Sequence, residues 1–273
     1  MEMTTWRFLP YQAYSAAENM AIDQAVMELV SEKKVPPTLR FYGWRVPTLS
    51  IGYFQKAKKE VNLSYIKEKN LGFVRRMTGG RAVLHDKELT YSVIVPEEDP
   101  IMPKTVSESY RVISQGLLEG FKALGLDAYL SDPQKTKKEH MSAACFDSPS
   151  DYELVIDGKK VAGSAQTRQH GVVLQHGSIL MDFDEDLLFT LLVFPSERAR
   201  QRLKEQFLQK AVAINRILSY PVSLDEVIQA FYEGFQKGIG VELQPGELTP
   251  EEKERVQARI RERYDSDDWN LRR

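Results

Sequence analysis

The stretch Arg75-Arg76-Met77-Thr78-Gly79-Gly80-Arg81-Ala82-Val83-Leu84-His85-Asp86 runs two arginines into a glycine pair and closes on His-Asp. Glycines at such a point admit positive φ and let a ligand approach the backbone closely. On either side, Leu71 to Arg75 and Glu88 to Val95 are apolar and rich in β-branched residues, which predicts strands. The chain should therefore present a cationic, glycine-bearing loop at the end of a sheet. A Gly-Gly pair taken alone is equally an ordinary hairpin loop, so the decision rests on the residues around it.

Working outward, Ser15 and Glu18 have capping-box spacing. Ala21, Ala25 and Leu29 continue at helical period, predicting a helix from about Ala16 to Ser31 that Pro36-Pro37 forbids from continuing. Strands follow at Thr38 to Tyr42 and Thr48 to Gly52. Thr105 and Glu108 make a second capping box, ahead of a helix to Ala123 that stops at Gly125. Ser131 to Ala144 is polar and charged, reads as a loop, and delivers the chain to Cys145. Tyr152 to Ile156, Asp157-Gly158 and Lys159 to Gly163 read as a tight hairpin with a type I′ turn. Its register sets Val155 opposite Lys160 and Ile156 opposite Lys159, so the two lysines point to opposite faces and only one can serve a given pocket. Further strands are expected at Gly171 to Leu174 and Gly177 to Met181. Ser223 with Glu226 predicts a helix to about Lys237. Thr249-Pro250 with Glu252 predicts another to about Tyr264, after a joint at Gln244 to Gly246.

A chain of 273 residues can bury a sizeable core. A net charge of −2 gives no strong field toward nucleic acid or membrane. Cys145 is the only cysteine, so no intrachain disulfide can form, which suits a reducing cytosol. No apolar run approaches the roughly 20 residues of a membrane span, and no signal-peptide pattern opens the chain; a cytoplasmic location is expected. The four histidines include no His-x-x-x-His pair, which argues against a zinc site. Neither a Walker A loop nor a dinucleotide fingerprint occurs.

Several residues can carry chemistry. Cys145 is either a nucleophile or a small buried apolar residue; the polar loop before it and Phe146-Asp147-Ser148-Pro149 after it do not read as a core strand. A lysine of the hairpin can stabilise an oxyanion or favour a thiolate, and the residues alone leave Lys159 and Lys160 both open. Gly163-Ser164-Ala165 either admits a ligand to the backbone or packs closely against a helix. His85 is a base, a substrate contact or a turn residue. Arg75, Arg76, Arg81, Lys104 and Arg111 either gather basic charge at an entrance or are scattered solvated charge.

These motifs together resemble the lipoate–biotin ligase and octanoyltransferase superfamily, whose lipoate ligases carry Arg-Arg-x-Ser/Thr-Gly-Gly-Gly-x-Val-x-His-Asp. Here Arg81 replaces the third glycine, and Lys87-Glu88 replaces the Gly-Asn that often follows His-Asp. Both depart from the ATP-using ligases. The chain is more similar to the cysteine-dependent octanoyltransferases that act on the glycine cleavage H protein. That likeness runs from about Trp6 to about Gly240 through Arg40-Phe41-Tyr42-Gly43-Trp44, the loop above, Cys145-Phe146-Asp147-Ser148-Pro149-Ser150 and Lys160-Val161-Ala162-Gly163-Ser164-Ala165-Gln166.

The resemblance implies an α+β fold with a mixed, mainly antiparallel sheet flanked by helices. With the joint at Gln244 to Gly246, one catalytic domain is expected over residues 1–245, with 246–273 as a helical extension of the same domain. The resemblance makes Cys145 and Lys160 the catalytic pair and Arg75, Gly79, Gly80, His85, Gly163 and Ser164 substrate-binding residues. Octanoyl acyl carrier protein and the glycine cleavage H protein are the implied partners, with no cofactor, metal, nucleic acid or membrane. Three other readings remain at this point: an amidotransferase moving octanoyl from H protein to other lipoyl domains, an ATP-dependent lipoate ligase, and a non-enzymatic acyl- or carrier-binding module.

Overall fold

The computed structural model describes residues 4–131 and 153–273. In chain order the strands are β1 (Thr4–Tyr14), β2 (Thr38–Trp44), β3 (Thr48–Ile51), β4 (Gly72–Arg75), β5 (Val83–His85), β6 (Glu88–Pro96), β7 (Tyr129–Leu130), β8 (Leu154–Ile156), β9 (Lys159–Gln169), β10 (Val172–Leu180) and β11 (Val241–Pro245). The helices are α1 (Ala16–Ser31), α2 (Ala57–Glu60), α3 (Leu63–Glu68), α4 (Val106–Ala123), α5 (Glu185–Leu191), α6 (Glu197–Lys210), α7 (Ile214–Ile217), α8 (Leu224–Ile239), α9 (Pro250–Arg259) and α10 (Asp267–Asn270), with a π-helical turn at Ile260–Tyr264.

Eight strands form one sheet in the order β11-β1-β2-β6-β10-β9-β8-β7, and β4-β3-β5 form a second. In the large sheet only β1 runs parallel to its neighbours β2 and β11; the remaining pairs are antiparallel. The fold is thus α+β with a mixed, mainly antiparallel sheet, as expected. Side chains alternate across it: Val93 and Val95 enter the core under α4 and α8, while Ile94 enters the core beneath α1. Glycines let α4 and α8 cross closely, since a Cβ on Gly234 would lie 2.4 Å from the Gly120 backbone nitrogen. α1 is buried nearly all round, as a helix held between a sheet and a further layer must be. That layer is α9, tied down by a buried pair in which Arg7 donates to Glu252 at 2.8 and 2.5 Å.

The hairpin register is as the sequence predicts: Val155 faces Lys160 and Ile156 faces Lys159 across Asp157 (φ 50°) and Gly158 (φ 74°). Capping boxes close at Ser15/Glu18, Ser223/Glu226 and Thr249/Glu252. At Thr105 the box is half formed, because the Glu108 carboxylate takes the threonine hydroxyl. Other expectations are corrected. The two strands expected at Gly171–Leu174 and Gly177–Met181 are one, β10, paired without a break on β6 and β9. The Gly-Gly loop joins β4 to β5, which flank β3 in the smaller sheet and do not pair with each other, so it is not a hairpin; the chain then passes from β5 into β6 of the large sheet. The loop expected at Ser131 to Ala144 lies, apart from Ser131, outside the described residues, as do Cys145 and Tyr152.

Candidate active site

Where β6, β9 and β10 pass beneath the Gly-Gly loop, the sheet lacks side-chain bulk. A Cβ on Gly177 would lie 2.6 Å from the Gly163 carbonyl oxygen and from Ser164 Oγ, and 2.7 Å from the Tyr91 ring. Gly163, Ser164 and Gly177 floor a pocket of about 420 Å³, mouth included, whose walls include Met20, Tyr42, Trp44, Gly80, Val83 and Ala165. The lining is apolar for the most part, which suits an acyl chain better than a phosphate. Ser164 Oγ hydrogen-bonds the Tyr91 hydroxyl at 2.7 Å, and Gln175 Nε2 donates to the same hydroxyl at 2.9 Å. Burial pushes the Tyr91 phenol well above its usual range, so it stays protonated.

The adjacent arginines diverge, because consecutive strand residues face opposite ways. Arg76 turns into the loop, donating to Ser50 Oγ (2.7 Å) and to the carbonyls of Gly79 (3.1 Å) and Arg81 (2.9 Å). Gly80 adopts φ 91°, a left-handed conformation that glycine tolerates without strain. Arg75, expected to bind substrate, is instead fully buried on the other side. Its guanidinium donates to the carbonyls of Gly52, Tyr53, Gln55, Trp269 and Asn270. Five backbone acceptors take up its donors, and it does not line the pocket.

Two buried histidines line the pocket. His85 stacks on Trp44 with ring centroids 4.2 Å apart. Its Nδ1 lies 2.5 Å from Glu88 Oε1 and its Nε2 2.6 Å from Ser50 Oγ. Glu88 also accepts from Thr90 and Ser178. His85 is therefore a wall residue with both nitrogens engaged, not a free base. His176 was noted in the sequence only as one of four histidines. Its Nε2 lies 2.7 Å from Thr78 Oγ1 and its Nδ1 3.2 Å from Asp23 Oδ2. Asp23 in turn accepts from Arg40, Tyr42 and Ser92. Burial pushes the His176 pKa down against the pull of Asp23, which favours the neutral ring. For Asp23, burial opposes the charge, but the His176 hydrogen bond and the Arg40 charge outweigh it and hold the carboxyl below its usual range. Thr78, His176 and Asp23 thus tie the loop to β10 and α1.

Lys160 is the inward lysine of the hairpin: it is 6 % exposed, whereas Lys159 is exposed. Its Nζ pairs with Glu153 Oε1 at 2.7 Å, and it stands three residues before Gly163 on β9. The structure thus gathers Gly80, His85, Gly163 and Ser164 around one pocket, with Gly79 in the adjoining turn. It sets Arg75 apart, and Cys145 lies outside the described residues. Trp44, Glu88, Asp23 and His176 were not singled out from the sequence. The Arg40-Phe41-Tyr42-Gly43-Trp44 motif was the available signal for Trp44. Among the described residues, no group of three or more His, Cys, Asp or Glu side chains could hold a metal ion, and no helix is long and apolar enough to cross a membrane.

Comparison with known proteins places this geometry in context. Residues 15–236 match the lipoyl protein ligase A/B catalytic domain. The octanoyltransferase LipM of Geobacillus kaustophilus is 57% identical over 279 residues, covering 100% of both chains. That of Bacillus subtilis is 56% identical over 278 residues, again covering 100% of both. Among solved structures, a bipartite lipoate protein ligase from Thermoplasma acidophilum superposes with a TM-score of 0.80 at 25% identity, covering 99% of this chain and 97% of that one. A lipoate-protein ligase A bound with ATP gives 0.78 at 25% identity, covering 98% and 99%.

Proposed function

Since the chain belongs to the lipoyl protein ligase A/B catalytic-domain family, we propose that it is the octanoyltransferase that takes octanoyl from acyl carrier protein onto Cys145 and passes it to a lysine of the glycine cleavage H protein. It is an acyltransferase of lipoate biosynthesis, similar along its whole length to octanoyltransferases. The observation that carries the reading is the apolar pocket floored by Gly177 and Gly163 beneath the Gly-Gly loop. Burying the seven carbons beyond the carbonyl of an octanoyl chain at about 0.8 kcal/mol each contributes roughly 6 kcal/mol, enough to hold a neutral chain without a charged anchor.

In the first half-reaction the Cys145 thiolate attacks the thioester carbonyl. The carrier's thiolate leaves, and the octanoyl group rests on the enzyme as a thioester. In the second, the neutral ε-amine of the acceptor lysine attacks the same carbonyl. Cys145 leaves as its thiolate, the C–N bond forms, and the amine's proton is lost. Lys160, as an ammonium, stabilises the oxyanion in both steps. Gly79, Gly80, Gly163 and Ser164 let the acyl carbonyl lie against the backbone, and His85 holds the wall beside it. The amide is more stable than the thioester, so no nucleotide is consumed.

The test is to incubate the protein with octanoyl carrier protein and unmodified H protein in the absence of ATP. Octanoyl-lysine on the H protein is the expected product. A strict ATP requirement, with pyrophosphate released, would assign the chain to the ligases. Transfer only from octanoyl H protein to another lipoyl domain would make it an amidotransferase.

A further inference from the structure

The segment Tyr53-Phe54-Gln55-Lys56 leaves β3 and leans on the pocket loop. The Tyr53 N–H donates to the Thr78 carbonyl at 2.8 Å, and a Cβ on Gly52 would meet the Gly80 carbonyl at 2.0 Å. The segment therefore belongs to the pocket's rim. Phe54 is 67% exposed on it, and Lys56, Lys58 and Lys59 are exposed beside it. The Arg272 guanidinium lies over the rings of Tyr53 (3.9 Å) and Trp269 (4.5 Å), and that of Arg273 lies over Phe54 at 5.4 Å. Among the described residues none of these five cations is in an ion pair. The Glu60 carboxylate on α2 is taken by the Gln55 side chain and the Lys56 N–H. The acids Asp267 and Asp268 begin α10, but the local field remains positive: a hydrogen bond from Arg272 and its charge lower the Tyr53 phenol. Burial, reinforced by Arg272 and Arg273, pulls the Arg75 guanidinium down to about 10. A chain with a net charge of −2 thus concentrates five cations outside ion pairs, two of them laid on aromatic faces, at one side of the pocket.

We propose that this cationic, aromatic ridge docks the acyl donor, an acidic carrier protein whose acyl arm is joined through a phosphodiester. The proposal rests on the donor assigned above. Of the two proteins that must reach the same pocket, the donor brings an anionic phosphodiester and the acceptor brings a lysine. Guanidinium groups held on aromatic rings match the phosphodiester. Of the five basic residues that the sequence offered for an entrance, Arg75 and Arg76 are buried and cannot form such a surface.

The test compares Lys58→Glu/Lys59→Glu and, separately, Arg272→Glu/Arg273→Glu with the wild type on two donors. One is octanoyl carrier protein. The other is octanoyl-N-acetylcysteamine, a thioester with neither protein nor phosphate. The expected result at low salt is a fall of about tenfold or more in kcat/KM with the carrier-protein donor, the gap narrowing as salt is raised. kcat/KM for the small donor and KM for the H-protein acceptor should not change. The proposal is overturned if both variants use the carrier donor as well as the wild type does, if the loss is equal on the small donor, or if the acceptor KM rises instead. Absence of transfer from either donor by the wild type would overturn the donor assignment itself.

Discussion

Replacing Arg75 with lysine keeps the charge and removes the fork. Arg75 joins the loop carbonyls of Gly52, Tyr53 and Gln55 (3.1, 3.0 and 2.8 Å) to those of Trp269 and Asn270 (3.1 and 3.0 Å). A lysine has three donors on one atom and cannot reach both groups at once. It forfeits at least the two bonds on one side. Hydrogen bonds to charged groups are worth about 1.5–3 kcal/mol each, and water entering the gap recovers part of the loss. The expected cost of Arg75→Lys is about 3 kcal/mol, or roughly 6–12 °C in Tm for a chain of this size. Urea unfolding should show a lower midpoint with an unchanged m-value. KM for octanoyl-N-acetylcysteamine, the small donor that does not need the ridge, should stay at the wild-type value in the folded enzyme. A variant as stable as the wild type to within about 0.5 kcal/mol, but with a raised donor KM, would refute the reasoning and return Arg75 to substrate binding.

Gly177→Ala places a methyl 2.6 Å from the Gly163 carbonyl, which cannot swing aside. Stability should fall by about 1–3 kcal/mol, and octanoyl transfer should fall further than thermal unfolding accounts for, measured below the variant's own Tm. The pH dependence of stability follows from His176 and Asp23. Burial holds the His176 pKa below its ordinary value of 6.5, so the unfolded chain takes up that proton first, and stability is complete above that value and declines as pH falls beneath it. Asp23, also held below its ordinary range, adds a second decline at lower pH, as protons reach the unfolded carboxyl first. In His176→Gln the upper decline should disappear from a plot of Tm against pH while the lower one persists; an unchanged upper limb would contradict the assignment. Finally, if the pocket is filled by methylenes, shortening the donor from octanoyl to hexanoyl removes about 1.6 kcal/mol. The expected loss in kcat/KM is then about fifteenfold, and equal use of both chains would exclude a length-measuring pocket.

Local chemistry was readable in advance where one residue dictates one conformation. Asp157-Gly158 demanded its turn and with it the outward Lys159 and inward Lys160; Ser15, Ser223 and Thr249 started their helices. What escaped depends on partners distant in the chain. β1 carries Pro10 and pairs in parallel with β2 and β11, so no hairpin signal announces it. β10 looks interrupted because Gln175-His176-Gly177 is polar and contains a glycine. Gln175 and His176 are nevertheless buried in mid-strand, where Gln175 bonds Tyr91 and His176 bonds Asp23, and Gly177 lets the Gly163 carbonyl and the Tyr91 ring pack against the strand. The motif Arg75-Arg76 marked the right loop but not which arginine turned toward it, because strand facing is settled by what covers β4, and that cover is Trp269 and Asn270, far along the chain.

The central claim is covalent catalysis by Cys145. The most direct measurement is the intact mass of the protein after mixing with octanoyl carrier protein, without acceptor, for the wild type and for Cys145→Ala. The account predicts one octanoyl group on the wild type, removable by hydroxylamine and transferred on adding H protein, with none on the variant. An unmodified wild type, or an adduct that survives in Cys145→Ala, would contradict it.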